Sequence, residues 1–310
     1  MKFRTGAVSW NHEIIGGKIL SGKFFKYCFR KNSIKSFNEK DYELIIEAKT
    51  EMKAQQAFEL FISAMTLVEG HVVYPITEIP RVFAFKRGKI EIKEIASEYG
   101  LSFFQTSGIY RAACVATKAS FKKIHVYSLS KYLFACSQHS NYINDLSPSQ
   151  YYKLTKKPLD HLRYSFAILA MYSVVEELVL EIRANEKNPS KIDGAWSPRI
   201  KEDLENRLKK SKINLNKKAV WNLRSRPTKV HVKDKLQLLG KASWAKYSVR
   251  DSEIEIIDAI SYSSWLRSKI IAHKIKDSFL SISIYDVANV NFLVRQLLLD
   301  ILEPEKHNAH

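Results

Sequence analysis

The 310-residue sequence has few of the residues that would indicate a disulfide-stabilised or loop-rich protein. Its three cysteines are odd in number and form no C-x-x-C pair. This argues against a disulfide framework or a zinc ribbon and favours a reducing, cytoplasmic setting. Ten Gly and eight Pro are few for this length. All-β sandwiches and open α/β folds with Gly-rich turns are therefore disfavoured.

Long hydrophobic runs are also absent. The longest apolar run, residues 166–175, is interrupted by Ser173 and is followed by Glu176 and Glu177. Crossing a bilayer takes about 20 apolar residues. The start of the sequence has no apolar stretch of the length that a signal peptide needs. The sequence therefore predicts a soluble protein that has no membrane partner.

Positive charge is abundant. Lys and Arg number 50 against 32 Asp and Glu, which gives a net charge of +18, and 45% of the residues are hydrophobic. That hydrophobic content excludes disorder as the state of the whole chain. The excess charge favours polyanionic partners, with nucleic acid ahead of an anionic membrane surface.

The periodicity of apolar residues predicts a mainly α protein with a small N-terminal β segment. We expect hairpin strands within residues 14–29, and we expect long helices over 41–69, 110–136, 159–184, 198–210, 251–273 and 284–302. Gly70 is the predicted stop of the first helix. The predicted domains are residues 1–157, helical with the short β segment, and residues 158–310.

A basic insert, residues 186–250, interrupts the second domain. It contains 18 Lys and Arg against six Asp and Glu, and so it carries +12 of the total charge. The residues predicted to contact nucleic acid are Lys217, Lys218, Trp221, Arg224, Arg226 and Lys229, the lysines and arginines at phosphates and the tryptophan stacked on a base. The alternative is a solvated helical hairpin whose tryptophans pack on the core.

Two pairs of segments suggest an internal repeat. Residues 139–151 match 273–285 at five of thirteen positions, and residues 58–69 can be set against 166–177. The two alignments do not share one offset, so chance matching is an equal alternative. A true repeat would make the first domain a related copy of the second.

The stretch that carries chemistry is Trp265 to Lys274, which places Arg267 and His273 six positions apart late in a predicted helix. Such positions lie about 120° apart around an α-helix and about 9 Å apart along its axis. The alternative is that both residues serve only the helix dipole and the last carbonyls. One of Glu176 and Glu177 is expected to cap or to pair with this arginine in the core, because a buried arginine needs a partner, rather than to hold a metal. We predict no metal or cofactor, since phosphate-loop, zinc and nucleotide motifs are absent from the sequence.

This stretch resembles the R-x4–6-H motif of the HEPN superfamily, whose members are compact all-α modules of four or five helices. The resemblance covers the C-terminal half, including the long helix around residues 171–178 and the Leu-rich last helix. It implies metal-independent RNA cleavage where two modules meet, with His273 transferring a proton and Arg267 stabilising phosphate charge. Active members often have Asn, Asp or His after the arginine, where this chain has Ser268.

The sequence therefore leads us to expect a HEPN-type endoribonuclease that acts as a homodimer, in a toxin or antiphage setting implied by the resemblance, with an antitoxin or other partner protein. Ser268 is expected either to orient the histidine or the phosphate or to be only a surface residue. In the first domain Leu133 stands where the second has Arg267, although His139 matches His273. The alternatives are a non-catalytic nucleic-acid or nucleotide-binding module that serves a partner, and a helical scaffold whose charge aids solubility.

Overall fold

The structure, a computed structural model, describes residues 1–9, 17–31, 42–74, 79–84, 104–105, 108–143, 158–185, 187–193, 195–222, 251–271, 282 and 284–303. Within these ranges the protein is mainly helical with a smaller sheet portion, which confirms the predicted class. Contacts divide the chain into two compact units. The first contains residues 1–133 and 302–310, and the second contains residues 134–301.

A six-stranded sheet forms one layer of the first unit. Its strands are β1 (Lys2–Ser9), β2 (Ile19–Ser21), β3 (Phe25–Lys31), β4 (Tyr42–Ala48), β5 (Phe83–Ala84) and β6 (Phe104–Gln105). The order is β2-β3-β4-β1-β5, with the first four strands antiparallel. Strand β1 pairs with β5 near its start and runs parallel to β6 near its end.

Two helices pack against this sheet, α1 (Glu51–Glu69) and α2 (Ile109–Ala119). A third helix, α3 (Lys123–Ile143), follows α2, and the boundary between the two units falls within it. The hydroxyl of Tyr27 on β3 donates to the carbonyl of Ala57 on α1 at 2.6 Å, which ties the buried faces together. Gly70 ends α1 with φ of 79°, a left-handed conformation that glycine adopts without strain. The predicted stop is therefore confirmed.

The C-terminal end of the described chain belongs to the first unit. The Glu303 carboxylate pairs with Arg111 of α2, and its main-chain carbonyl accepts a hydrogen bond from Lys118 Nζ at 3.0 Å. The first unit is therefore built from two parts of the sequence.

The second unit contains α4 (Pro158–Glu177), α5 (Pro198–Lys210), α6 (Ile256–Trp265), a π-helical segment (Leu266–Ile271) and α7 (Ile284–Leu302). Two small antiparallel pairs accompany them: β7 (Lys191–Ile192) with β8 (Ala195–Trp196), and β9 (Lys218–Asn222) with β10 (Asp251–Glu255). The bounds of α5 and α7 agree with the sequence prediction.

Two of the predicted helices were wrong at their starts. Residues 42–48 form strand β4, and α1 begins only after Thr50, whose side chain accepts a hydrogen bond from Lys53 N. The consecutive apolar residues 44–46 are all buried in the sheet, where a central strand has two covered faces. Residues 251–255, predicted as the start of a helix with its cap at 251–253, instead form β10.

Two other predicted helices are shorter than expected. The pattern over 110–136 is divided between α2 and α3, because the Ser120 hydroxyl donates to the Thr117 carbonyl and the chain turns there. The predicted helix over 159–184 ends at Glu177. Val179 has φ of 60°, and Leu180 N donates to the Val175 carbonyl, a helix-terminating geometry.

The internal repeat stays a prediction. Residues 58–69 lie in α1 and residues 166–177 lie in α4, so both members of this pair are helical. His139 lies in α3, whereas residues 273–281 fall outside the described ranges. In the described ranges the six-stranded sheet belongs to the first unit only.

None of the helices in the described ranges has the length and apolar character needed to span a membrane.

Candidate functional site

The π-helical segment after α6 carries two of the predicted catalytic residues, Arg267 and Ser268. Helix α6 buries an apolar face in the second unit. Leu266, the first residue of the π segment, is also fully buried. A π segment widens the helix from i→i+4 to i→i+5 hydrogen bonding and is often found at functional sites. The α-helical spacing assumed for this stretch therefore does not hold between residues 266 and 271.

Arg267 reaches towards α4. Its Nη2 lies 3.2 Å from Oε1 of Glu176, and the two side chains are 46% and 39% exposed. The predicted partner is therefore observed, but the pair is exposed, whereas the sequence predicts a pair in the core. The pair lies at the surface of the second unit, so its contribution to stability is at most about 1 kcal/mol. The guanidinium keeps solvent-accessible donors that an incoming anion can use.

Ser268 is bonded to its own helix. Its hydroxyl lies 2.9 Å from the Ser264 carbonyl oxygen and 3.4 Å from that of Trp265, and it donates to them. Helical serines commonly bond back to the preceding turn in this way. This geometry fits the surface-residue alternative, and the orienting role stays a prediction.

Tyr172 lies beside the same pair. Burial raises the pKa of its phenol, a hydrogen bond with Ser264 opposes the shift, and the charge of Glu176 adds to it. Ser264 therefore takes part in contacts with both α4 and Ser268. The end of α6, the π segment and α4 form one connected polar edge in the second unit.

His273, Arg224, Arg226 and Lys229 lie outside the described residues. Their predicted roles, in proton transfer for the histidine and in RNA contact for the other three, stay predictions.

The three remaining predicted RNA contacts lie on or just before β9. Lys217 pairs with Asp300 of α7, and Lys218 is exposed. The prediction for Trp221 was wrong, because its side chain is only 3% exposed and packs edge-on against Tyr262 at 4.9 Å. A ring held in this way cannot stack on a base, and the alternative of core packing applies to it.

Sequence reasoning missed a buried polar support beneath the π segment. The Tyr262 hydroxyl donates to Oδ1 of Asp286 at 3.0 Å, and Asp286 is fully buried in the first turn of α7. One turn earlier in α6, Asp258 accepts hydrogen bonds from Trp196 and Lys191. A sequence signal for Asp286 exists, since this carboxylate shares the helix face of Val290, Leu293 and Leu297.

Metal ligands do not converge in this part of the chain. Among the described residues no group of three or more His, Cys, Asp or Glu side chains is placed to hold a metal ion. Glu176, the candidate from sequence, is instead paired with Arg267.

Comparisons with family models, with curated proteins and with solved structures found no match to this chain.

Proposed function

We propose that this protein is a metal-independent endoribonuclease of the HEPN type, with Arg267 and His273 as its catalytic residues. The observation that supports it best is the placement of Arg267. A half-exposed guanidinium on a π-helical segment, paired with the surface carboxylate of Glu176, is suited to exchange that carboxylate for a phosphate.

The reaction uses these side chains, the RNA and water. The ribose 2′-oxygen attacks the adjacent phosphorus, and the bond from phosphorus to the 5′-oxygen breaks. His273 either takes the proton of the attacking hydroxyl or gives a proton to the leaving oxygen, and water makes the other of these two transfers. Arg267 stabilises the charge that develops on the phosphate oxygens. The products are a 2′,3′-cyclic phosphate and a 5′-hydroxyl.

The test is cleavage of labelled RNA in excess EDTA. We expect wild-type protein to cleave, and Arg267→Ala and His273→Ala each to lose at least about a hundredfold in rate, as removal of acid–base or charge-stabilising groups does. Arg199→Ala and His71→Ala are matched controls, since both residues are exposed and lie elsewhere in the chain. Circular dichroism checks the folding of each variant. Equal activity in the control and site variants would contradict the proposal.

The second candidate is a non-catalytic module that binds RNA or a nucleotide and serves a partner protein. It is favoured by the Ser268 hydroxyl, which bonds to its own helix and not to a catalytic group in the described residues. Salt-sensitive RNA affinity with no turnover over a range of RNA substrates would support this candidate. A toxin or antiphage role and a partner or antitoxin protein rest on the resemblance alone.

A further inference from the structure

The turn between α2 and α3 in the first unit is the centre of a strongly basic surface. Residues 108–143 contain no Asp or Glu and five Lys or Arg. Three of those five lie within six residues, at Lys118, Lys122 and Lys123, and all three side chains are exposed. The Glu303 carboxylate offsets one of the five charges, at Arg111. The remaining positive charge attracts polyanions and repels basic partners.

Exposed aromatic rings lie among these lysines. Phe121 in the turn is 57% exposed, and Tyr127 in the first turns of α3 is 49% exposed. Lys123 Nζ lies 5.4 Å from the centre of the Tyr127 ring, as the i, i+4 spacing on a helix allows. Large aromatic side chains are normally buried, so two of them among lysines indicate a binding surface.

A second turn extends this surface. The main-chain N–H of Lys23, between β2 and β3, donates to the Ser120 hydroxyl at 3.0 Å and so joins the two turns. The next residue, Phe24, has Lys53 Nζ 4.9 Å from its ring centre. The second turn thus adds an exposed lysine and an aromatic ring.

The local electric field is positive at a neighbouring titratable group. His125, half-buried in α3, has its pKa lowered by burial and by the charges of Lys122 and Lys118.

We propose that Lys23, Phe121, Lys122, Lys123 and Tyr127, called here the aromatic–lysine surface, bind single-stranded RNA. Lysines that follow a backbone of phosphates, interleaved with rings on which bases stack, are the physical requirements for binding an unpaired strand. A duplex hides its bases from such rings, and a lipid headgroup offers no flat face to stack on them. The inference adds a second RNA contact to the proposed function, apart from the cleavage site.

The test measures binding of a fluorescent 20-nucleotide uridine RNA by full-length protein that carries His273→Ala, so that the RNA stays intact. We expect Phe121→Ser and Tyr127→Ser each to weaken binding about tenfold, the loss of one stacked base. Phe121→Trp is expected to keep the affinity. Met52→Ser is the matched control, since Met52 is an exposed apolar side chain on α1 of the same unit.

The charge contribution is tested separately. The double variant Lys122→Gln/Lys123→Gln is expected to reduce the slope of log affinity against log salt by about 1.4, which corresponds to two phosphate contacts of a single strand. Lys31→Gln/Arg81→Gln removes the same charge from exposed residues elsewhere in the first unit and serves as its control. RNA phosphates at the surface also offset the positive field, so RNA is expected to raise the pKa of His125 in an NMR titration.

Several results would overturn the inference. One is affinity that Phe121→Ser and Tyr127→Ser leave unchanged. Another is equal or tighter binding of duplex RNA, or of single-stranded DNA of matching length. A third is binding to vesicles with anionic lipid that depends on Phe121 as strongly as RNA binding does. Ultraviolet cross-linking of 4-thiouridine RNA to the tryptic peptide 124–131, which contains Tyr127, would support it.

The outcomes also separate this inference from the proposed function. If cleavage in EDTA depends on Arg267 but RNA affinity does not depend on Phe121, the proposed nuclease activity is supported and the aromatic–lysine surface is contradicted. If RNA affinity depends on Phe121 but wild-type protein does not cleave RNA, the aromatic–lysine surface is supported and the proposed nuclease activity is contradicted.

Discussion

At the scale of single residues, the pair of Arg267 and Glu176 is the contact that matters most for the proposed chemistry. The carboxylate holds the guanidinium at the end of α4, but it also occupies a position that a phosphate would take. An exposed pair of this kind is weak enough to be exchanged. Glu176 is therefore a competitor of the substrate as well as a support.

Replacement of this carboxylate should strengthen RNA binding. For Glu176→Gln we expect a two- to fivefold lower KM for RNA, because one negative charge beside the phosphate site is removed. Glu177→Gln is the matched control, since it changes the net charge equally and lies about 100° further round the same helix. Steady-state cleavage kinetics measure both variants. A KM that rises in Glu176→Gln, or falls equally in both, would contradict this role.

At the scale of secondary-structure elements, the periodicity of apolar residues predicted some helices correctly and could not predict others. The periodicity located α5 and α7 because each presents a regular apolar face. It could not distinguish strand β4 from a helix, because three consecutive apolar residues fit a buried strand and a buried helix equally.

The candidate site was found only in part. A motif singled out Arg267 and Ser268. The pairing with a glutamate was expected because a buried arginine needs a partner, but Arg267 is 46% exposed and meets Glu176 at the surface. The change from α- to π-helix was not predictable, because it depends on how α6 packs against its neighbours. The burial of Trp221 depends likewise on Tyr262, a residue 41 positions away in sequence.

The hydrogen bond between Tyr262 and Asp286 should stabilise the second unit. In Tyr262→Phe the buried carboxylate of Asp286 loses a donor, and we expect a loss of about 1–3 kcal/mol in the free energy of unfolding. Urea unfolding followed by tryptophan fluorescence reports on this unit, since four of the five tryptophans lie between residues 196 and 265. Tyr127→Phe is the control, because it removes the same hydroxyl group from an exposed side chain on α3. Equal midpoints in the two variants would show that this bond adds nothing.

At the scale of the whole molecule, the resemblance predicts that two copies of the chain assemble. Each chain has one Arg267 and one His273 in this motif, and the R-x4–6-H chemistry is expected where two modules meet. Helix α4 carries two exposed apolar residues one turn apart, Leu162 and Phe166, on the same element as Glu176. We expect this part of α4 to take part in a homodimer.

Light scattering tests the assembly. Wild-type protein is expected to have twice the mass of a single chain, and Phe166→Asp is expected to have the mass of one chain and to lose RNA cleavage, because burial of a charge opposes association. Met52→Asp introduces the same charge at an exposed apolar position of the first unit and should leave the dimer intact. A wild-type protein that is monomeric and still cleaves RNA would contradict the prediction.

The contacts of Glu303 with Arg111 and Lys118 have a consequence for biosynthesis. They join positions more than 180 residues apart, and the whole second unit is translated between the two. On the ribosome, α2 therefore emerges long before the residue that closes the first unit against it. The ordinary rule that an N-terminal domain is finished before the next one is made does not hold here. The first unit reaches its final set of contacts only after the second has been synthesised, and a nascent chain released before residue 303 would have neither contact.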